Sequence, residues 1–428
     1  MDKLNVLILG SGGREHAIAW KTHQSSMLNK LYVAPGNSGT LSLAENLDIN
    51  IHDYESIKNC IVTKNINLLI IGPEDPLVNG LHDQLENDSE VHNLIIIGPK
   101  KAGAQLEGSK SFAKRFMLKN AIPTANFKSF NIDNLSEAKI YLEQSAAPFV
   151  IKADGLAAGK GVFICKTLEE ANAIVEDILV NKKFGSSGEK VVIESFLEGI
   201  ELSVFILTNG TDYKILPTAK DYKRIGENDV GLNTGGMGAI SPVPFADKMF
   251  IEKIKTKIIE PTLVGLKKEN IEYTGFIFFG LIKVENEPFV IEYNVRLGDP
   301  ETQAIMPRIK SDLLSLLSMI NKQKAFKKME LNIDHSVATT VILTSGGYPE
   351  KYKKGYPIKG LDNLTDSIAF HAGLKLENNK YLTNGGRVVA ITTVDKNIPT
   401  AINKTYKDIE KISFQDMYFR KDIGKDLI

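Results

Sequence analysis

The sequence predicts a multidomain protein of mixed α/β and α+β class. A doubly wound parallel-sheet domain comes first, antiparallel strand pairs fill the middle, and a mixed α/β domain closes the chain. Three observations carry this expectation. The first hundred residues alternate short unbroken apolar runs with helical spacers, as strands buried on both faces require. From Phe149 onward, apolar strands come in pairs joined by short turns, the signature of antiparallel sheet. A chain of 428 residues is also longer than one hydrophobic core usually supports, so roughly two to four domains are expected.

In the N-terminal part the apolar runs are residues 4–9, 30–33, 68–71 and 94–97, and each stops at Gly or Pro. Ligands of such sheets sit beyond the carboxyl ends of the strands. The loops at 10–15, 34–39, 72–77 and 98–101 are therefore expected along one rim. A helix should start at Ser109, carry Phe112, Phe116 and Met117, and stop near Pro123. A smaller unit follows, with a helix over 136–144, strands over 149–152 and 162–165 around a glycine-rich loop, and a helix over 168–180. Residues 191–208 read as two strands around 197–200. Residues 221–244 read as a long glycine-rich loop, and strands recur at 276–284 and 289–295. A helix follows Asp312, and Lys-rich sequence at 321–328 marks the last boundary. Strands at 337–343 and 387–393 belong to the closing domain. The expected division is 1–104, 105–328 (with the smaller unit at about 124–190) and 329–428.

Lys plus Arg and Asp plus Glu are balanced at 52 each, which argues against nucleic acid or an anionic membrane as the main partner. The two cysteines, Cys60 and Cys165, are far apart, and the seven histidines form no cluster. A zinc site is not indicated, and a reducing compartment fits. There is no signal-like segment and no apolar run long enough for a bilayer. The expectation is a cytoplasmic monomer acting on small molecules.

Four motifs carry chemistry. Gly10-Ser11-Gly12-Gly13-Arg14-Glu15-His16 follows a strand and opens a helix, where free N–H groups suit a phosphate. It is a poor dinucleotide fingerprint, because Glu15 stands where the third glycine belongs and no acidic residue closes the second strand. Lys152-Ala153-Asp154-Gly155-Leu156-Ala157-Ala158-Gly159-Lys160-Gly161 lacks the Ser or Thr of a phosphate-binding P-loop. Strand, glycine loop, strand is instead the shape of a flap over nucleotide phosphates, or equally of a glycine-rich surface hairpin with solvated lysines. In Val290-Ile291-Glu292-Tyr293-Asn294-Val295-Arg296, strand alternation puts Val290, Glu292, Asn294 and Arg296 on one face. A carboxylate, an amide oxygen and a guanidinium together suit Mg²⁺ and phosphate; a polar, solvent-facing edge strand is the plain alternative. Asp221, Lys223 and Arg224, with the loop at 233–238, could receive a small zwitterion.

Together these residues resemble the ATP-grasp superfamily and, within it, the phosphoribosylamine–glycine ligase family. The likeness spans nearly the whole chain. It includes Gly72-Pro73-Glu74-Asp75-Pro76-Leu77, Leu106-Glu107-Gly108-Ser109-Lys110, Asn233-Thr234-Gly235-Gly236-Met237-Gly238, Arg296-Leu297-Gly298-Asp299-Pro300-Glu301 and Gly385-Gly386-Arg387. The resemblance implies a central ATP-grasp pair of subdomains and ligation of glycine to 5-phosphoribosylamine with ATP and Mg²⁺ (or Mn²⁺). It implies Lys110 and Lys152 on nucleotide phosphates, and a covering flap with Gly155, Gly159, Lys160 and Gly161. Glu194 and Leu197 would meet the adenine, Glu201 the ribose, and Glu292 and Asn294 the metal. Gly10, Gly12, Gly13, Arg14 and Glu74 would hold phosphoribosylamine. Asp221, Arg224, Asn233, Thr234, Gly235 and Met237 would surround glycine, with Lys223, Arg296 and Asp299 in catalysis. Tyr222, Leu232 and Leu297 depart from the family's usual residues, and the strand at Phe278-Phe279-Gly280-Leu281 offers no second acidic metal ligand.

Competing readings are another ATP-grasp carboxylate–amine ligase, a nicotinamide oxidoreductase on the N-terminal sheet, and a non-catalytic nucleotide sensor. Glu15 and the missing strand-end acid weigh against the second. The Glu292, Asn294 and Arg296 set weighs against the third.

Overall fold

The computed structural model describes residues 3–157 and 159–428, so Met1, Asp2 and the flap residue Ala158 lie outside the described residues. Strands β1 (Leu4–Gly10), β2 (Leu28–Pro35), β3 (Glu45–Asn46), β4 (Leu68–Ile71) and β5 (Ile95–Ile97) form a sheet in the order β3-β2-β1-β4-β5. Every pairing in it is parallel. Leu7, Leu9, Leu69 and Ile71 enter one core, while Val6, Ile8, Leu68 and Ile70 enter another on the opposite face. Both faces are covered, which is why these runs are apolar without alternation. Strand order reverses between β1 and β4. The crevice at that switch point is bordered by the turn after β1, with Gly10 to Arg14, and by the loop after β4, with Glu74.

A second, smaller unit contains β6 (Phe127–Asn131), β7 (Phe149–Ala153), β8 (Val162–Cys165) and β9 (Lys190–Ser195), antiparallel in the order β6-β9-β7-β8. Phe130, Leu142, Ile151, Val175 and Ile193 give it a core of its own. Strands β10 (Ile200–Thr208) and β11 (Tyr213–Ile215) leave this unit and join another sheet. The two strands expected in 191–208 therefore do not pair with each other. Residues 196–199 cross from one sheet to the next.

The long loop expected at 221–244 is a correction. It holds β12 (Lys220–Asp221), a hairpin of β13 (Arg224–Gly226) and β14 (Val230–Asn233), and β15 (Gly238–Ser241). These strands carry few apolar residues, so periodicity did not mark them; β13 and β14 are made by a local hairpin, and β15 by distant pairing with residues 338–341. Strands β16 (Gly275–Val284) and β17 (Glu287–Asn294) complete the sheet β11-β10-β16-β17. Its Leu202, Val204, Phe279 and Tyr293 share a core with Leu7 and Leu69 of the first sheet.

The last part holds β18 (Val337–Thr344), β19 (Ser367–His371), the hairpin β20 (Leu374–Glu377) and β21 (Lys380–Thr383), and β22 (Arg387–Asp395). Its main sheet runs β12-β15-β18-β22-β19, so it takes two strands from residues 220–241. Among the described residues no helix is long and apolar enough to cross a membrane.

Candidate active site

The site is built on the end of β17. Residue pairing across β16 and β17 slips between Gly280/Glu292 and Leu281/Val290, which leaves Ile291 as an extra residue. This bulge overturns part of the alternation argument. Val290 lies in the core with Tyr293 and Val295, not beside Glu292, because an inserted residue reverses the facing of everything before it. Opposite Glu292 stands Gly280, where even a Cβ would come within 3.0 Å of the Glu292 Cγ. A side chain there would have to push the Glu292 side chain aside by a few tenths of an ångström.

Glu292 is half-buried. Burial pushes its carboxyl up, but Lys223, Lys152, Lys110 and Arg296 outweigh it and hold it below its ordinary value. Asn294 is buried, and its amide nitrogen has no hydrogen-bond partner. Lys110 Nζ donates to the Gly155 carbonyl at 3.0 Å, and burial lowers its pKa despite Glu292. Lys152 Nζ lies 3.2 Å from the Ile291 carbonyl and 2.9 Å from Glu194 Oε1. Glu194 Oε2 accepts from Lys114 at 2.7 Å. The Glu194 carboxylate is thus taken by two lysines, and only its backbone remains for a purine edge. Lys114 was not anticipated; a lone helix lysine gives no sequence signal.

Above this floor lies the flap. Gly155 N–H donates to the Ser187 carbonyl at 2.9 Å, and Asp154 accepts from the Ser111 N–H at 2.6 Å, tying the flap base to the helix Lys110–Lys119. Gly159 has φ +75°, and a Cβ there would lie 3.6 Å from the Thr234 carbonyl. The flap tip therefore rests near the loop after β14. Gly159 and Lys160 are exposed. At the sheet crossover, Leu197 is half-buried and Phe196 is exposed. Glu201 accepts from Lys223 Nζ at 2.7 Å. Burial works against the Lys223 charge, but Glu201, Asp221 and Glu292 raise its pKa well above the ordinary value. Burial raises the Asp221 carboxyl, against Lys223 and with Glu201 and Glu292.

The other residues expected around glycine divide. Thr234 is held by its own loop, its N–H and hydroxyl both on the Lys223 carbonyl. Gly235 N–H donates to Tyr348 Oη at 3.0 Å. Asn233 and Arg224 pair across the hairpin, and the Arg224 guanidinium donates to the Gly231 carbonyl at 2.8 Å. Met237 is a correction: it is fully buried, and its N–H and C=O bond to Tyr222 and Ile342. It is a packing residue of β15's approach.

On the N-terminal side, Gly10 (φ +123°), Gly12 and Gly13 form the turn into the helix Gly13–His23. Its anion position is already served by the protein. Gly12 N–H donates to Glu15 at 2.7 Å and Arg14 N–H to Asp299 at 3.1 Å. Arg14 also reaches the Leu297 carbonyl at 3.0 Å. Arg296 lies past the end of β17 rather than on its Glu292 face. Glu107 accepts the Val295 N–H at 2.7 Å and so ends the strand; the guanidinium then bonds Glu107 at 2.6 Å and Glu74 at 3.1 Å. Burial raises Glu74, but Arg296 and Arg14 hold it down at about 2.

Asp299 is an unsuitable base. Burial pushes it up, but Arg387, Arg14 and Gln303 together hold it below its ordinary value, and a good proton acceptor needs a pKa near the working pH. Two carboxyls behave otherwise: burial pushes Glu107 up to about 7, although Arg296 and the Val295 N–H, each on one of its oxygens, favour the ionised form, and burial with Asp221 raises Glu301. Arg387, from β22, donates to the carbonyls of Gly235 and Asp299 and lies 3.2 Å from Asp299 Oδ1. Glu107, Glu301 and Arg387 stand in motifs the sequence made conspicuous, but their roles needed the three-dimensional neighbours.

Three models of the phosphoribosylglycinamide synthetase family match: its N domain at residues 4–107, its ATP-grasp (A) domain at 108–302 and its C domain at 338–426. The chain is 44% identical to a phosphoribosylamine–glycine ligase of Fusobacterium nucleatum subsp. nucleatum over 98% of each chain. It is 43% identical to the enzyme of that name from Clostridium acetobutylicum, over 99% of this chain and all of the relative. A solved phosphoribosylamine–glycine ligase of Thermotoga maritima superposes with TM-score 0.84 at 34% identity, covering 98% of this chain and 100% of that one. A biotin carboxylase domain from Hydrogenobacter thermophilus shares the fold, with TM-score 0.74 at 14% identity over 100% and 98% of the two chains.

Proposed function

The chain belongs to the phosphoribosylglycinamide synthetase family, and on that premise we propose how its residues carry out the family's reaction. It is an ATP-dependent ligase that joins glycine to 5-phosphoribosylamine, giving glycinamide ribonucleotide, ADP and phosphate in purine biosynthesis. One observation carries the assignment of the centre: Lys110, Lys152, Lys223 and Arg296 all act on Glu292, a carboxylate with no hydrogen bond of its own among the described residues. Lys152, Lys223 and Arg296 each also have a carboxylate partner of their own, Glu194, Glu201 and Glu107 with Glu74, so what suits a transferring phosphoryl group is the convergence of four cationic donors rather than a net positive charge.

Glu292 and Asn294 would hold Mg²⁺ (or Mn²⁺). Among the described residues no three His, Cys, Asp or Glu side chains converge as a metal cage. That fits an ion that takes one or two protein ligands and completes its shell with phosphate and water. The unpartnered Asn294 amide nitrogen is a donor, and it suits a phosphate oxygen beside the ion rather than the ion itself. When bound, the ion would neutralise charge on the ATP phosphates.

Glycine enters beside Lys223, which faces its carboxylate, and Asp221, which faces its ammonium. The carboxylate attacks the γ-phosphoryl group, with Lys110 and Lys152 spreading the charge. The flap from Gly155 to Gly161 excludes water from the glycyl phosphate. Phosphoribosylamine lies in the switch-point crevice, against Gly10 to Arg14 and Glu74, where its phosphate competes with Asp299 for the Arg14 N–H. Its amine then attacks the acyl carbon and phosphate leaves. Glu194 and Leu197 line the adenine edge through their backbone, and Glu201 faces the ribose. The division 1–104, 105–328 and 329–428 assigns sugar amine, nucleotide and closure in turn. Two buried free cysteines suit a reducing cytoplasm and balanced charge suits small-molecule partners; the protein is taken to act as a monomer.

The test is ADP formation with each substrate omitted in turn. ADP and phosphate should appear in equal amounts, and only with glycine, phosphoribosylamine and MgATP together. AMP and pyrophosphate as products would sink the assignment.

A further inference from the structure

Arg296 touches both the sugar-side loop and the end of β17, and its two carboxylate partners are held very differently. Glu107 closes the helix Lys101–Gly108, and its side chain is 8% exposed. One of its oxygens accepts from Arg296 Nη2 at 2.6 Å and the other from the Val295 N–H at 2.7 Å. Glu74 opens the short helix Glu74–Val78 on the loop after β4. Its side chain is 23% exposed, and its one side-chain hydrogen bond among the described residues is to Arg296 Nε, at 3.1 Å. If Glu74 turned away, Arg296 would keep a close counter-ion. If Glu107 were lost, the half-buried guanidinium would keep only the more exposed Glu74 as counter-ion and the buried Val295 N–H would lose its partner, the costly case for buried polar groups.

We propose that Glu107 is a positioning residue of the ligase reaction: it holds Arg296 at the end of β17 while Glu74 exchanges its Arg296 contact for the amine or hydroxyls of the incoming ribosylamine. The inference rests on the substrate assignment above. The exchange links the two halves of the site. When Glu74 turns to the sugar amine, Arg296 loses one of its two counter-charges. More of its positive charge is then felt at Glu292, where the phosphoryl group moves. Arg14 cannot make the same exchange, because it is tied to Glu15 at 2.6 Å and to the Leu297 carbonyl at 3.0 Å.

The experiment is steady-state ADP formation by the full-length chain with phosphoribosylamine varied and glycine and MgATP saturating. Glu107→Gln keeps the shape but removes the counter-charge, and should lower kcat by about tenfold while KM for phosphoribosylamine changes less than about threefold. Glu74→Gln should do the reverse, raising that KM with kcat nearly kept. In an Arg296→Lys background, Glu107→Gln should cost less than about twofold further, because residues acting through one another are not additive. Multiplying losses there would mean that Glu107 acts elsewhere, and would overturn the proposal. Should Glu107→Gln fail to fold, Glu74→Gln decides alone: a tenfold fall in kcat at saturating phosphoribosylamine would show that Glu74 is fixed rather than exchanged. Absence of ADP formation by the unaltered chain would remove the substrate assignment itself, and that result is seen before any variant is compared.

Discussion

Glu292 shows how far a single residue can be read from its neighbours in sequence. That it shares a strand face with Asn294 was legible from alternation alone; the role proposed for that face is tested by the variants at Glu292 and Asn294. Two residues of the same run were not legible. Ile291 bulges, which turns Val290 into the core, and Val295 gives its N–H to Glu107, which carries Arg296 off the strand. Neither event has a local signature, since both depend on a partner far away in the chain. At this scale, Glu292→Gln should lower turnover by roughly a hundredfold to a thousandfold, as loss of a key charge-stabilising group does. Binding of ATP without metal should change little, and Asn294→Ala should do less than Glu292→Gln, because water can replace a neutral ligand. Near-normal turnover of Glu292→Gln across a Mg²⁺ titration would make this face structural. The turn after β1 gives a second test. A side chain at Gly12 would meet Glu15 Oε2 at 2.8 Å and Asp299 Oδ2 at 3.3 Å. Gly12→Val should raise KM for phosphoribosylamine by about tenfold or more and leave ATP affinity nearly intact, as expected when one substrate's subsite is crowded. Equal weakening of ATP would place this turn in the nucleotide site.

Among the elements, the flap unit stands apart because its core is closed on itself, whereas the N-terminal sheet and the β10-β16-β17 sheet share one core. A unit with a separate core can tilt as a body about its connections, here 196–199, the bridge from Thr124 to Val290 and the ties of Asp154 to Ser111, Glu194 to Lys114 and Lys152 to Ile291. Backbone hydrogen exchange across residues 154–161 should slow on adding MgATP, and more than at Gly10 to Gly13. Equal protection at both places would deny the flap a lid's role. The flap's strands and helices were legible because they carry ordinary periodicity and caps; Thr167 caps the helix Leu168–Leu179 through its hydroxyl. Strands β12 to β15 were hidden because glycine, charge and short length mask strands that exist only through pairing, β15 with β18, β12 with β15, and β13 with β14.

At the scale of the whole molecule, the first and last sheets are pinned together by a buried pair of histidines. His16 and His371 are 6% and 7% exposed, and the His371 N–H donates to His16 Nδ1 at 2.8 Å. Burial, then the neighbouring His371, lowers His16 to about 3; burial lowers His371 to about 4, against Asp362. Both rings are neutral when folded, while the unfolded chain takes up protons below the ordinary value of 6.5. The stabilisation is therefore complete above pH 6.5 and is lost as pH falls toward 4, with a total effect on the order of a few kcal/mol. Urea midpoints should drop between pH 7 and pH 5, and His371→Asn should shrink that drop. A midpoint as high at pH 5 as at pH 7 would mean that the pair charges freely in the folded state. Nothing in the sequence joins His16 to His371, 355 positions apart; only the closed fold does.

The sheet that ends the chain borrows β12 and β15 from residues that precede it by about a hundred positions, and this constrains how the gene can be cut and joined. Severed at residue 329, the last segment would keep β18 but lose the strand that covers its edge. All eight residues of β18 are buried in the intact chain, and a bare edge of that kind recruits other chains. A fragment of residues 329–428 made alone should aggregate, and coexpression with 1–328 should recover soluble protein by restoring β15 against β18. Soluble, monomeric 329–428 would show instead that the borrowed strands are ornament. Recombination between related genes should accordingly tolerate exchange of the flap unit, whose strands pair only among themselves, far better than exchange of the final hundred residues.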